Sequence, residues 1–226
     1  MTRRERSGGR QVIYGRRPVE EAQRGRREVH RVWRWGDVSE EELEELCGSP
    51  DHQGLVAEVE PYPYVLPEAL LAPEDALVVA LDQVQDPQNL GAICRTAEGA
   101  GATGVVLPEH GSALVTPAVC RASAGAVEHL QIAMARNLAD FLGQAKEAGA
   151  WVYGAEADGD VDYTKPDYAG RVVIVLGSEG RGLRPRVRSA CDALVRVPLR
   201  GRVESLNVSA TAAVLLYEIV RQRTNS

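Results

Sequence analysis

The chain is sparing with several residue types, and each shortage excludes something. Its 226 residues include one Phe, two Met and only two Lys, against 24 Arg. The four cysteines (Cys47, Cys94, Cys120 and Cys191) are far apart with no CxxC pair, which argues against a zinc ribbon and against a disulfide-stapled secreted fold. The histidines, His30, His52, His110 and His129, show neither HxxxH nor HExxH spacing, so no metal centre is expected. No apolar run approaches the roughly 20 residues that a membrane-spanning helix needs. The Arg-rich start lacks the apolar stretch of a secretory signal, so a cytoplasmic protein without membrane contact is expected. Neither a G-x-G-x-x-G dinucleotide loop nor a G-x-x-x-x-G-K phosphate loop occurs, and no repeat runs through the chain at a fixed period.

What is present is a 44% apolar composition, enough for a core, in a length that suits one large domain or one plus a small one. The net charge of −6 conceals a segregation: residues 1–34 carry +7, residues 35–170 carry −19 and residues 171–226 carry +6. Basic ends around an acidic middle point to anion contact at the ends. Arginine grips phosphate bidentately, which lysine does not. A compositional bias explains the Arg/Lys ratio equally well, but not the segregation along the chain.

Residues 1–10 are polar and basic and read as a disordered tail. A small unit follows over 11–60. Strands are expected at 11–14, 29–33 and 55–59, and helices at 19–23 and at 40–47, the latter capped by Ser39. Four prolines between 61 and 73 mark 61–75 as a linker with one short helix near 68–71. From residue 76 the pattern becomes regular. Strands are expected at 76–81, 104–107, 151–155, 172–176 and 194–198. Helices are expected at 90–99, 117–124, 138–148, 183–190 and 207–221. Strands alternating with helices predict an α/β domain over 76–226 with a mostly parallel sheet.

Ligands of such sheets bind beyond the carboxyl ends of the strands, and three of these ends carry unusual loops. The first opens a helix with Asn89 and Gly91, and Arg95 follows about 1.7 turns later. Ala92, Ile93, Cys94 and Ala97 surround Arg95, so a face that is not fully solvated is expected. Its partner is then an anionic ligand or an internal acid such as Asp82. The second, Leu176–Leu183, contains Gly177, Gly180 and Gly182 and is either a ligand cradle or a tight turn. The third runs from Val197 through Arg200, Gly201 and Arg202 to Ser205 and Asn207, which either serve a site or simply cap the helix.

Each loop alone is ambiguous; their order and spacing are not. N-x-G-x-x-x-R-T-A (89–97), V-L-G-S-E-G-x-G-L (175–183) and V-P-L…S-L-N-V-S-A (197–210) together resemble the three motifs of the SpoU/TrmH family, RNA ribose 2′-O-methyltransferases of the SPOUT class. Residues 12–22 and 52–59 resemble that family's small substrate-binding domain, most like the bacterial enzymes that methylate a 23S rRNA guanosine. The chain departs from them between Glu45 and His52, where about one helix and one strand are missing.

The resemblance implies a C-terminal trefoil knot, S-adenosylmethionine as cofactor, an RNA substrate, no metal, and a homodimer whose active site is completed across the interface. It places cofactor contacts at Leu176, Gly177, Val197, Leu199 and Leu206. Arg95 takes the place of the catalytic arginine. A guanidinium with a pKa above about 12 suits a phosphate or a developing alkoxide better than the role of general base. Glu179 is placed to orient Arg95 or assist the proton's departure, with Asn89, Asn207 and Ser205 positioning substrate and catalytic groups. RNA contacts are expected from Arg16, Arg17, Arg24, Arg26 and Arg27 in the small unit, and from Arg200 and Arg202 beside the cofactor loop. The stripe Val208, Ala212, Leu215, Leu216 and Ile219 on the last helix is either a dimer face or a core-packing face.

Overall fold

A computed structural model describes residues 9–178 and 180–225, and its strands form two sheets. β1 (Gln11–Tyr14), α1 (Arg16–Arg24), β2 (Val29–Arg34), α2 (Glu40–Cys47) and β3 (Leu55–Val59) build the small unit. Its sheet is antiparallel in the order β1-β3-β2. Ser39 caps α2 by accepting the Glu42 N–H at 3.2 Å, and Glu40, Glu41 and Glu42 suit the positive end of the helix dipole. Only the short turn Pro50–His52 separates α2 from β3. Most of the expected tail lies outside the described residues, but Arg10 is tied to Glu58 at 2.9 Å.

The larger unit comprises β4 (Leu77–Asp82), α3 (Pro87–Gly99), β5 (Gly104–Pro108), α4 (Pro117–Ala122), β6 (Gln131–Ala135), α5 (Leu138–Glu147), β7 (Trp151–Ala155), β8 (Val161–Asp162), β9 (Val172–Gly177), α6 (Pro185–Ala190), β10 (Ala193–Arg196) and α7 (Val208–Thr224). The strands pair in parallel in the order β6-β5-β4-β9-β7-β10-β8. Alternation along the central strands sorts the core into two layers. Leu77, Val79 and Leu81 of β4 face the cluster that contains Ile93 of α3 and Leu215 of α7. Val78 and Ala80 face the cluster that contains Phe141 and Leu142 of α5. Two strands were not expected. β6 reads Gln-Ile-Ala-Met-Ala, with little intrinsic strand preference, and is specified by pairing along its whole length with β5. β8 has only two residues.

β10 lies between β7 and β8, although those two are consecutive in the chain. The residues joining them therefore pass over a strand that comes later. At Gly159 a Cβ would stand 2.8 Å from the Leu194 carbonyl oxygen, so only glycine lets the joining segment lie this close. This crossing belongs to the knotted C-terminal region that the motifs implied, an exception to the usual avoidance of threading.

The proline-rich stretch is not a free tether. The Tyr62 hydroxyl donates to the Val127 carbonyl at 3.0 Å, and Leu70 and Leu71 are buried under the large sheet. Ile13, Val19, Ala22, Ala57 and Val59 of the small unit share one apolar cluster with Leu90 and Ile93. The two sheets thus sit on a continuous core. The stripe on α7 is part of it: Val208, Ala212, Leu215, Leu216 and Ile219 are buried within the single chain, so the dimer-face reading of that stripe is corrected in favour of core packing.

Candidate active site

The ends of β4, β9 and β7 lie side by side, with β9 in the middle. The glycine-rich loop after β9 is held from both flanks. Asp82, the fully buried last residue of β4, accepts the Arg184 backbone N–H at 2.8 Å and its Nε at 2.7 Å. Glu156, just beyond β7, accepts the Leu183 N–H at 2.7 Å. Two successive amides are thus each bound by a carboxylate, from opposite sides. With Pro185 at its first position and Arg184 extended before it, α6 begins there rather than at residue 183. The loop folds back on itself through Gly182 N–H to the Ser178 carbonyl at 3.0 Å. At Gly177 any Cβ would overlap the Gly182 backbone, so the close approach requires glycine there. Asp82 is thus occupied by Arg184, not by Arg95. The pairing with Glu156 and Arg184 was missed in the sequence because the partners are 27 and 102 residues apart.

Under this loop lies a cavity of about 700 Å³. Leu176, Gly177, Val197, Leu199 and Leu206, the five residues that the motifs assigned to the cofactor, all line it, as do Ser205 and Asn207. Its size falls in the range of small-molecule sites, and apolar walls with a few polar groups are their usual make-up. The residues present fit an adenosine-like ligand, with apolar side chains to enclose a flat ring at the end of β9.

Asn89 sits buried in the first turn of α3, whose N-cap is Asp86. Asn207 caps α7 by accepting the Ser209 N–H at 2.8 Å, and its Nδ2 donates to Asn89 Oδ1 at 3.0 Å. Two residues 118 positions apart therefore meet at the edge of the cavity, and Asn207 is both a helix cap and a site residue. Arg95 departs from expectation. It is exposed, and it has no hydrogen-bond or ion-pair partner among the described residues. Ile93, Cys94 and Ala97 are the residues that α3 turns inward, and at 3.6 residues per turn this leaves Arg95 facing outward. Ser205 is exposed, and Glu179 lies outside the described residues.

The arginines assigned to RNA divide. Arg16, Arg17, Arg24, Arg26, Arg200 and Arg202 are exposed. Arg24 is paired with Glu21 at 3.2 Å, and Arg26 donates to the Tyr62 hydroxyl at 3.2 Å and to the Leu130 carbonyl. Arg27 must be removed from the set. Its side chain is 1% exposed, and it is ion-paired with Glu128, which is 0% exposed. Its Nε donates to the same carboxylate at 2.8 Å. Among the described residues no group of three or more His, Cys, Asp or Glu could hold a metal, and no helix is long and apolar enough to cross a membrane.

Residues 76–217 match the model of the SpoU rRNA methylase family, and residues 36–65 match that of the RNA 2′-O ribose methyltransferase substrate-binding domain. The chain belongs to the SpoU rRNA methylase family. An uncharacterized tRNA/rRNA methyltransferase of Mycolicibacterium vanbaalenii is 44% identical over 195 residues, 84% of this chain and 62% of that protein. The chain thus spans about three fifths of the mycobacterial relatives it matches. Among solved SpoU structures, the methyltransferase AviRb of Streptomyces viridochromogenes, in complex with the cofactor AdoMet, superposes with a TM-score of 0.84 at 26% identity, covering 100% of this chain and 95% of that one. An AdoMet-bound rRNA methyltransferase of Sinorhizobium meliloti gives a TM-score of 0.84 at 29% identity, over 94% of this chain and 87% of that one. The SpoU fold is therefore present throughout the described chain, small unit included.

Proposed function

We propose that this chain transfers a methyl group from S-adenosylmethionine to a ribose 2′-hydroxyl of RNA, with a guanosine of 23S rRNA as the target, acting in the cytoplasm. The observation that carries this reading is the Asn89–Asn207 pair, 3.0 Å apart, at the rim of a cavity lined by all five residues that the motifs assigned to the cofactor. S-adenosylmethionine, when bound, supplies an electrophilic methyl on a sulfonium that is already a good leaving group. Leu176, Val197, Leu199 and Leu206 would enclose its adenosine, while the clamped amides of Leu183 and Arg184 hold the loop in shape.

The chain's own residues then have two tasks. The hydroxyl must be held in line with the methyl, and its proton must be drawn off as the O–C bond forms. Asn89 and Asn207 lock the start of α3 to the start of α7, and thereby set the floor on which the ribose rests. Arg95 stays protonated and offers its guanidinium to the adjoining phosphate or to the developing alkoxide. Its exposure, and the lack of a partner among the described residues, suit a group that awaits a polyanion. Glu179 assists the proton's departure, and Ser205 contributes from the cavity wall. Arg16, Arg17, Arg24, Arg200 and Arg202 supply phosphate contacts. The active form is a homodimer. With the α7 stripe used in the chain's own core, its interface must use another face, which sedimentation and cross-linking of the purified chain would locate.

The test is incubation with methyl-labelled S-adenosylmethionine and, separately, unmodified 23S rRNA and total tRNA, followed by digestion and mapping of 2′-O-methyl nucleosides. Label in a 23S guanosine is the expected result. Label only in tRNA would keep the chemistry and overturn the target, and no label in either RNA would overturn both.

A further inference from the structure

The small sheet carries a tryptophan for which the reading above has no use. Trp35 follows β2 and is 73% exposed. An indole is large and normally well buried. Its backbone is anchored: the Trp35 N–H donates to the Gly54 carbonyl at 2.9 Å, and the Asp37 N–H closes a turn on Arg34 at 3.0 Å. The ring is therefore held in solvent by a closed turn.

Arginines stand beside it on its strand and at the same end of the sheet, with Asp37 in its own turn. Arg34 is exposed and has no acidic partner among the described residues. The register places Tyr14 opposite Val56 and Arg34 opposite Leu55, so α1 opens at the same end of the sheet. Arg16 and Arg17 stand there, with the Arg16 N–H bound to Gln53 Oε1 at 3.1 Å. Among the described residues their ion pairs are long ones to Glu20, at 3.9 Å each. Further back on the same edge strand the Arg31 guanidinium lies 4.9 Å from the centre of the Trp33 ring. This end of the sheet is also linked to α3, the helix that carries Asn89. Asp51 binds Arg121 of α4, and the next residue, Ala122, is packed directly on Gly91 of α3. Gly91 lies two positions from Asn89 and one helical turn before Arg95.

We propose that Trp35 is a stacking platform for an unpaired nucleobase of the RNA, with Arg34, Arg16 and Arg17 holding the phosphates beside it. The inference rests on the RNA-methyltransferase reading and adds to it the form of the substrate: a single-stranded loop, not continuous duplex. Bases in a duplex are already stacked on each other, whereas splayed bases stack on exposed aromatic rings, and arginines around such a ring follow the backbone. A second copy of this chain is disfavoured as the occupant, because a symmetric contact would bring Arg34, Arg16 and Arg17 against their own images.

The test uses the full chain with Trp33→Phe and Trp151→Phe, which leaves Trp35 as its single indole. Titration with a short unstructured oligoribonucleotide quenches Trp35 fluorescence, and the same sequence in duplex form does so far less. Trp35→Ala in the otherwise unaltered chain weakens single-strand binding about tenfold. Trp35→Phe restores most of the loss and Trp35→Leu does not, with S-adenosylmethionine affinity unchanged in all three. Binding by Trp35→Ala within twofold of the unaltered chain would overturn the inference, and so would an altered sedimentation coefficient with RNA affinity intact. If the unaltered chain methylates RNA and Trp35→Ala does so equally well, only this inference fails. If the unaltered chain neither binds nor methylates RNA, the functional reading fails with it.

Discussion

Two arginine–carboxylate pairs fasten the small sheet to the large unit, and they differ in everything except their chemistry. Arg27–Glu128 lies on the inner side of the seam, with side-chain exposures of 1% and 0%. Arg121–Asp51 lies on the outer side, at 38% and 57%. The inner pair is surrounded by further partners: Gln11 Oε1 accepts from Arg27 Nη1 at 3.1 Å, and Tyr62 packs under the guanidinium at 5.7 Å. The outer pair is far more open, and its Arg121 guanidinium lies 5.9 Å from the centre of the Tyr14 ring. The difference teaches that a run of like charge in the sequence is not one functional set. Folding divides the basic N-terminal segment into arginines that hold the molecule together and arginines that remain open to a ligand.

The largest effect expected from that division is at Arg27. Its removal leaves the Glu128 carboxylate buried and unpaired, which costs about 3–5 kcal/mol. Arg27→Ala should therefore lower the denaturant midpoint sharply, while residual folded protein keeps its cofactor affinity. A variant as stable as the original would show that water or a neighbouring group replaces the guanidinium, and the contrast with the outer pair would collapse. Arg95 is the opposite case. Because Arg95 is exposed and without a partner among the described residues, its removal should leave stability untouched. Turnover should fall about a hundredfold or more if it stabilises charge at the reacting oxygen, with S-adenosylmethionine binding within twofold of the original. Substantial turnover in Arg95→Ala would remove it from the mechanism.

Glu156 gives a smaller effect that sharpens the same contrast, because here a charged group serves the site from inside. Glu156→Ala leaves the Leu183 N–H without its 2.7 Å acceptor and loosens the loop over the cavity. The cofactor KM should rise about tenfold, the equivalent of one charge-assisted hydrogen bond, with kcat changed much less. Glu156→Gln keeps an acceptor and should restore most of the affinity. If Ala and Gln behave alike, the carboxylate acts through its charge and not through that hydrogen bond.

How far the sequence revealed this follows the same line between local and distant causes. The Ser39 cap and the apolar runs of β4 and β9 are local signals, and the structure places them where the pattern predicts. The cavity residues Leu176, Gly177, Val197, Leu199 and Leu206 were legible through the resemblance of three motifs to those of the SpoU/TrmH family. β6 was not, since Gln-Ile-Ala-Met-Ala becomes a strand only through pairing with β5. Arg27 reads like Arg24 and Arg26 in the sequence; only Glu128, 101 positions away, separates it from them. The outward turn of Arg95 was misjudged because its neighbours' apolar character was read without their phase around α3. Asp82 and Glu156 gave no local sign that they clamp the loop, because the amides they bind belong to a segment that reaches them only through the fold.

The outer pair supplies the smallest and most condition-dependent effect. The hydrogen bond from Arg121 holds the Asp51 carboxyl below the usual carboxylate range, helped by the attraction of its charge. A carboxyl lowered in the folded state contributes stability above the unfolded carboxyl's pKa, near pH 4, and loses that contribution as the pH falls through the folded value. Asp51→Asn should therefore melt slightly below the original near neutral pH and converge with it in acid. Because both side chains are open to solvent, added salt should shrink the neutral-pH gap. Arg27→Ala should show no such convergence with salt, since the charge it leaves behind is out of reach of counterions. A gap for Asp51→Asn that widened in acid, or that resisted salt, would mean that the outer contact is not the screened surface pair its exposure makes it.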